Sequence, residues 1–233
     1  MAQKTFLQLT QDAQRQCDDD SAIAKIIIQS GINESYSEIC GIRDWKLLEN
    51  NTTISAVAGT QEYTPIVSST SVPRIRRIES VKDETSKRYI DYIQREVFEK
   101  SYPYVASTDT GTPSLWYISG YDSNGDIKVK LFKVPDTGRT YRITFYEEPL
   151  ELTSDLDVPR IPEQFHTGLS YLGLAKYYEY QKDAFASYYR QMHEAYKAKI
   201  LTIEYSPYDQ MPTITPEQRS KTTIIGKIGR IYN

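Results

Sequence analysis

Residues 163–204 read EQFHTGLSYLGLAKYYEYQKDAFASYYRQMHEAYKAKILTIE, and the interpretation of this stretch decides the fold. No glycine or proline occurs between Leu174 and Ser206, and Pro162 stands at a natural first helical position. Tyr171, Leu174, Tyr178, Phe185, Tyr189, Met192, Tyr196, Ile200 and Ile203 recur at helical steps and so share one side of a helix. The pattern predicts a single helix from about Glu163 to Glu204, ~60 Å long at ~1.5 Å per residue. A chain of this size has too few other helices to cover such a stripe. Tyr178, Phe185, Tyr189, Met192 and Tyr196 are therefore expected to pack against another copy of the chain. On a straight rod His166 and His193 would stand ~40 Å apart by the same rise. They could then share neither a metal nor a proton, and they read as surface or helix-flank side chains.

Working towards the N-terminus, Glu147 to Ile161 is a polar connector with Pro149 and Pro159. Its Asp155 and Asp157 read as turn and cap residues. Before it, residues 114–146 alternate in the manner of strands. Leu115-Trp116-Tyr117-Ile118 precedes the turn Asp122-Ser123-Asn124-Gly125, and Ile127, Val129 and Leu131 follow. After a second turn at Pro135-Asp136-Thr137-Gly138 come Tyr141, Ile143 and Phe145. The expectation is a three-stranded antiparallel meander. Arg74 to Val81 is a further strand, Tyr89 to Phe98 a short helix, and Leu47 to Tyr63 two short strands broken at Asn50-Asn51 and Gly59. The first 44 residues are helical. Phe6, Leu9 and Ala13 lie on one face behind a start near Thr5 or Lys4, Asp18-Asp19-Asp20-Ser21 makes a break and a new N-terminus, and Cys40-Gly41 offers a left-handed cap.

The fold class is thus α+β: a helical bundle with one long C-terminal helix, an inserted antiparallel β region and an extended C-terminal tail. The expected boundaries are 1–44 for the N-terminal helices, 45–146 for the β insertion, 147–205 for the connector and long helix, and 206–233 for the tail.

Composition narrows the function. The 233 residues carry a formal charge of −3, too little positive charge for a protein built to coat nucleic acid. No run approaches the ~18 apolar residues of a membrane-spanning helix, so no membrane partner is expected. The opening residues lack the apolar core of a secretory signal. Twenty Tyr against six Phe suit half-wet interfaces. There is no phosphate-binding glycine loop, no HExxH and no CxxC, and Cys17 and Cys40 read as buried thiols. No metal, cofactor or catalytic residue is expected. Arg74, Arg76 and Arg77 form the one tight basic cluster. It reads as a solvated strand edge or a salt-bridging face rather than a phosphate contact.

The order of segments is itself informative. It runs from Asp44-Trp45-Lys46-Leu47-Leu48 through Val57-Ala58-Gly59-Thr60-Gln61-Glu62-Tyr63 and Pro73-Arg74-Ile75 to Gly111-Thr112-Pro113-Ser114-Leu115-Trp116-Tyr117. Val129 to Pro135, Tyr141 to Tyr146 and Pro159 to His166 complete it. Over roughly residues 5–205 this series resembles the head-to-tail adaptor proteins of tailed bacteriophages. The resemblance implies a structural virion protein, assembled in the host cytoplasm into a ring at the neck. Such rings usually have about twelve copies, dock beneath the portal protein, and continue the DNA channel to a downstream neck or tail protein. It also implies a C-terminal segment that grips the portal. In this chain that segment would be residues 206–233, with Ile214, Ile224, Ile225, Ile228, Arg230, Ile231 and Tyr232 as contacts. Its prolines at 207, 212 and 216 disfavour helix and favour an extended course. The mixed charges at Lys176, Glu179, Lys182, Asp183, Arg190 and Glu194 suggest only loose contact with DNA. The competing expectation is a tail-associated cell-wall hydrolase or carbohydrate-binding module.

Overall fold

The computed structural model describes residues 3–69, 72–102 and 109–202. Residues Met1–Lys197 form one compact unit; of the second, Ala198–Asn233, the described part is the last turn of a helix.

The first helix, α1 (Phe6–Cys17), starts where the sequence places it. Thr5 accepts from the Gln8 amide at 3.3 Å and the Gln8 side chain accepts from the Thr5 amide at 3.0 Å, a reciprocal cap. The next free amides, of Phe6 and Leu7, donate to the carbonyls of Asp157 and Asp155 in the connector. Both aspartates therefore act in turn and cap geometry, and the Asp157 carboxylate also accepts from the amides of Thr153 and Ser154. Helix α2 (Ala22–Ile42) begins behind the Ser21 cap. It runs through Gly41, which takes no left-handed conformation, and ends at an extended Arg43 rather than at a glycine cap.

The long-helix expectation is corrected. After a short 3₁₀ turn at Glu163–Phe165, α4 (His166–Tyr180) stops, the chain reverses, and α5 (Phe185–Thr202) runs back along it. The stop is a Schellman closure. Lys182 is left-handed (φ 56°), its amide donates to Glu179 O, and the Asp183 amide donates to Tyr178 O. Asp183 then accepts from the Phe185 amide at 2.9 Å and starts α5. Lysine occupies the position where glycine is usual, so the absence of glycine and proline did not guarantee continuity. The histidine separation drawn from a straight rod falls with it. Both imidazoles are buried rather than on the surface.

Helices α1, α2 and α4 pack together around Leu9, Ile28, Ile32, Ile39, Leu169 and Leu174, each fully buried. Burial of this kind contributes ~1.5–3 kcal/mol per side chain. The α2–α4 crossing is so close that a Cβ on Gly31 would lie 2.5 Å from Gly173 Cα. A Cβ on Gly173 would lie 2.8 Å from Ile28 O.

The β region forms a seven-stranded sheet in the order β1-β9-β3-β4-β6-β7-β2. Its strands are β1 (Glu49–Ala56), β2 (Glu62–Tyr63), β3 (Ile75–Asp83), β4 (Arg88–Tyr92), β6 (Leu115–Tyr121), β7 (Ile127–Phe132) and β9 (Arg139–Glu147). The short β5 (Thr110–Gly111) and β8 (Val134–Pro135) pair with each other. Asn50 and Asn51 lie within β1 rather than at a break. The expected helix at Tyr89–Phe98 is strand β4 followed by α3 (Arg95–Ser101).

The meander is also corrected. β6 and β7 form an antiparallel hairpin across the predicted Asp122–Gly125 turn, where Gly125 has φ 81°. β9 leaves that hairpin and inserts between β1 and β3, antiparallel to both, while β4 and β6 run parallel. Alternation reports which face is buried but not which neighbour a strand takes. Val81, Val129, Leu131, Tyr141, Ile143 and Phe145 form the centre of the sheet's core.

Candidate functional site

The α4–α5 hairpin carries the first of the candidate surfaces. Tyr178 and Tyr189 stack face to face, with centroids 5.4 Å apart and planes 3° from parallel. Tyr196 reaches across to Tyr171 and Phe165 at 5.9 and 6.3 Å, and its hydroxyl donates to Gln164 O at 2.7 Å. Gly168 leaves room for that ring, since a Cβ there would overlap it. Burial pushes the Tyr196 hydroxyl up to about 12. Of the five side chains expected at a subunit interface, Tyr178, Tyr189, Met192 and Tyr196 are half-buried, and the three tyrosines help to close the hairpin. Phe185 is 59% exposed at the turn, with Tyr180 and Tyr188 also exposed beside it in sequence. Ile23 and Ile26 are exposed on α2. Periodicity could not show this, because the buried face of α2 is Ala24, Ile28, Gly31, Ile32 and Ser35. The expected portal contacts at Ile214, Ile224, Ile225, Ile228, Arg230, Ile231 and Tyr232 lie outside the described residues.

One polar cluster ties α5 to α2. Buried His193 places Nδ1 3.4 Å from Ser35 Oγ and Nε2 3.1 Å from Glu38 Oε2. The Lys197 ammonium lies 2.9 Å from Glu38 and 2.7 Å from Glu194. Glu38, His193 and Glu194 offer donor atoms within 4.8 Å of one another, a spacing that could hold a cation. The Lys197 ammonium already supplies positive charge to both carboxylates, so the cluster is best understood as an interhelical tie. Partial burial raises the Glu38 pKa, but hydrogen bonds and charge from Lys197 and His193 outweigh it and hold the carboxyl below the ordinary glutamate range. A depressed folded-state value stabilises above the unfolded pKa and is lost as pH falls through the folded one. Glu38→Gln should therefore lower stability at pH 7 and make less difference in acid, once the pH has fallen below the depressed carboxyl value. Denaturant titration of both proteins under the two conditions tests this, and an equal effect in both would refute it.

The arginine cluster is used within the chain. Arg76 donates to the carbonyls of Cys40 and Arg43 at 2.6 and 3.0 Å and pairs with Asp44. Arg77 pairs with Asp44 and Glu79 and lies over the Tyr146 ring. Arg74 donates to Asn124 O across the β6–β7 turn. These contacts hold β3 to the end of α2 and to that turn, as a salt-bridging face would. Cys40 is buried, and burial pushes its thiol up to about 12; Cys17 is half-buried rather than enclosed.

Five helices joined to a mostly antiparallel sheet make an α+β fold that leaves some of its aromatic side chains, Tyr180, Phe185 and Tyr188 among them, exposed. A family model described as SU10 adaptor protein matches residues 4–214, nearly the whole chain. The chain belongs to the SU10 adaptor protein family. No relative among the curated proteins matches it. The family is one of structural phage adaptors and is not a known enzyme family, so membership makes this adaptor a virion component. It implies association with portal and tail proteins. No helix among the described residues is long and apolar enough to cross a membrane.

Proposed function

We propose that this adaptor forms a ring of about twelve copies beneath the portal and continues the DNA channel towards the tail, with no chemical step of its own. Family membership supports the adaptor role, and the exposed aromatic turn of the α4–α5 hairpin supports the assembly. Phe185, Tyr180 and Tyr188 sit on a turn held rigid by its Schellman closure and by the Tyr178–Tyr189 stack. A rigid, exposed aromatic group is well suited to anchor a partner surface, since little side-chain entropy is lost on binding. Tyr178, Tyr189, Met192 and Tyr196 then shape and back the interface, with Phe185 in direct contact with the neighbouring copy. The segment after Tyr205 extends to the portal.

Phe185→Asp with Tyr188→Asp should leave a folded, soluble protein that no longer assembles on purified portal rings. Native mass spectrometry of the mixture reads the copy number directly. Unimpaired assembly would remove the hairpin turn from the interface.

DNA should meet this ring loosely. Three cations of the hairpin are paired, Lys176 with Glu34, Arg190 with Glu179 and Lys197 with Glu38. A wall of paired charges releases few counterions and lets a polyanion slide. Duplex binding by the isolated protein should be weak at physiological salt. Tight binding with a steep salt dependence would overturn the proposal of a non-adhesive channel.

A further inference from the structure

Between α2 and the connector lies a groove that the fold does not fill. Two adjoining hollows, of about 590 and 680 Å³, share Tyr36, Pro149, Leu150 and Glu151. Hydrogen bonds fix its walls. The Asn33 side chain on α2 donates to Leu152 O at 3.0 Å and accepts from the Leu152 amide at 2.9 Å. The Tyr36 hydroxyl accepts from the Arg160 amide at 3.0 Å. Leu150 is 40% exposed, and Val158 adds apolar lining. Most carboxylates around the groove are engaged: Glu34 pairs with Lys176, buried Glu147 with Arg160, and Asp157 accepts from the Thr153 and Ser154 amides. Glu151 is exposed and has no ion-pair partner among the described residues. Glu148, also exposed, lines a smaller hollow beyond Leu150. The groove is a preformed apolar slot with a negative rim.

The turn between α4 and α5 has the complementary chemistry. Residues 179–185 are all exposed, so the turn projects from the two helices, and Tyr180, Phe185 and Tyr188 give it an aromatic tip. Its Asp183 carboxylate is occupied by the Phe185 amide. Lys176, Arg190 and Lys197 are paired, but Lys182 at the left-handed corner has no ion-pair partner among the described residues. The turn thus presents aromatic rings beside an unpaired cation. Identical copies around a closed ring meet through two unlike surfaces. The turn of one copy therefore needs a different, receptive surface on the next, apolar within and negative at its edge.

We propose that the groove receives the α4–α5 turn of the neighbouring copy. Phe185 enters the slot against Leu150 and Val158, and Lys182 meets Glu151 at the rim. An aromatic anchor seated in a preformed pocket keeps water from the polar contacts around it, and the charge pair fixes which way the turn enters. The proposal rests on the ring assembly proposed above and names the surface that the Phe185 turn meets there.

The test uses the full-length chain with photoreactive benzoylphenylalanine in place of Phe185, assembled on purified portal rings from a mixture of isotope-labelled and unlabelled copies. Mass spectrometry of the irradiated assembly should find crosslinks between labelled and unlabelled copies, running to residues 33–37 and 147–158. Crosslinks between copies that run only to other segments would overturn the groove and leave the ring standing. Assembled copies that give no crosslink to one another would overturn both. A charge reversal supplies the second measurement. Glu151→Lys and Lys182→Glu, each at an exposed position and checked by circular dichroism, should each lower assembly on the portal several-fold, and the two together should restore it. Losses that simply add in the double variant would overturn the proposed pairing of turn and groove.

Discussion

Replacing Gly31 with valine should lower the unfolding midpoint by roughly 6–12 °C, through a loss of about 3 kcal/mol in a chain of this length. The side chain would have to enter a space where even its first carbon lies 2.5 Å from Gly173 Cα and 2.7 Å from Gly173 N. These obstacles are backbone atoms of α4, so no rotamer change relieves them. The two helices must separate, and Ile28, Ile32, Leu172 and Leu174 lose packing together. Gly41→Ala is the control on the same helix. Nothing lies within 4 Å of its Cβ, and alanine there should be neutral or stabilise by ~0.4–1 kcal/mol. Thermal scans of the two variants decide the matter. A Gly31→Val protein as stable as Gly41→Ala would mean that the α2–α4 crossing is wider than described.

Removing residues 206–233 should abolish stable attachment to the portal and leave the fold intact. The deleted residues lie wholly outside the unit Met1–Lys197, so that unit is expected to keep its fold. The deletion removes the side chains expected to contact the portal, Ile214, Ile224, Ile225, Ile228, Arg230, Ile231 and Tyr232. Burying three isoleucines contributes roughly 5 kcal/mol gross, more than a thousandfold in affinity. Co-sedimentation of truncated and full-length protein with portal rings should separate completely, while their unfolding midpoints agree within about 2 °C. Truncated copies that join the virion normally would shift the anchoring role to the Phe185 turn.

Features written in adjacent residues were legible in the sequence. Thr5 and Gln8 cap each other, Ser21 opens α2, and Asp122–Gly125 turns a hairpin, each by contacts within a few positions. The hairpin of α4 and α5 was not legible, because its apolar spacing is the same whether the side chains face a second subunit or each other. Tyr178 and Tyr189 could lie on one rod or stack across a turn, and only the left-handed Lys182 distinguishes the two. The site of β9 was hidden for a related reason. Arg139–Glu147 alternates as any half-buried strand does, and its partners β1 and β3 are chosen by tertiary packing. At the expected interface, the aromatic character of residues 178–196 was readable and its direction was not.

The insertion of β9 has a consequence for the order of synthesis. In the register of β1 with β9, Glu49 meets Tyr146 and Ala56 meets Arg139, while Gly31 of α2 waits for Gly173 of α4. On the ribosome, the first 56 residues therefore emerge long before any of these partners exists. Ile54 lacks its sheet partners until β9 has been translated, and Ile28 and Ile32 lack α4 for longer still. Nascent chains stalled before residue 140 should be protease-sensitive and chaperone-bound, and those carrying residues up to 180 should be protected. Folding of this adaptor is thus expected to wait until most of its length is made.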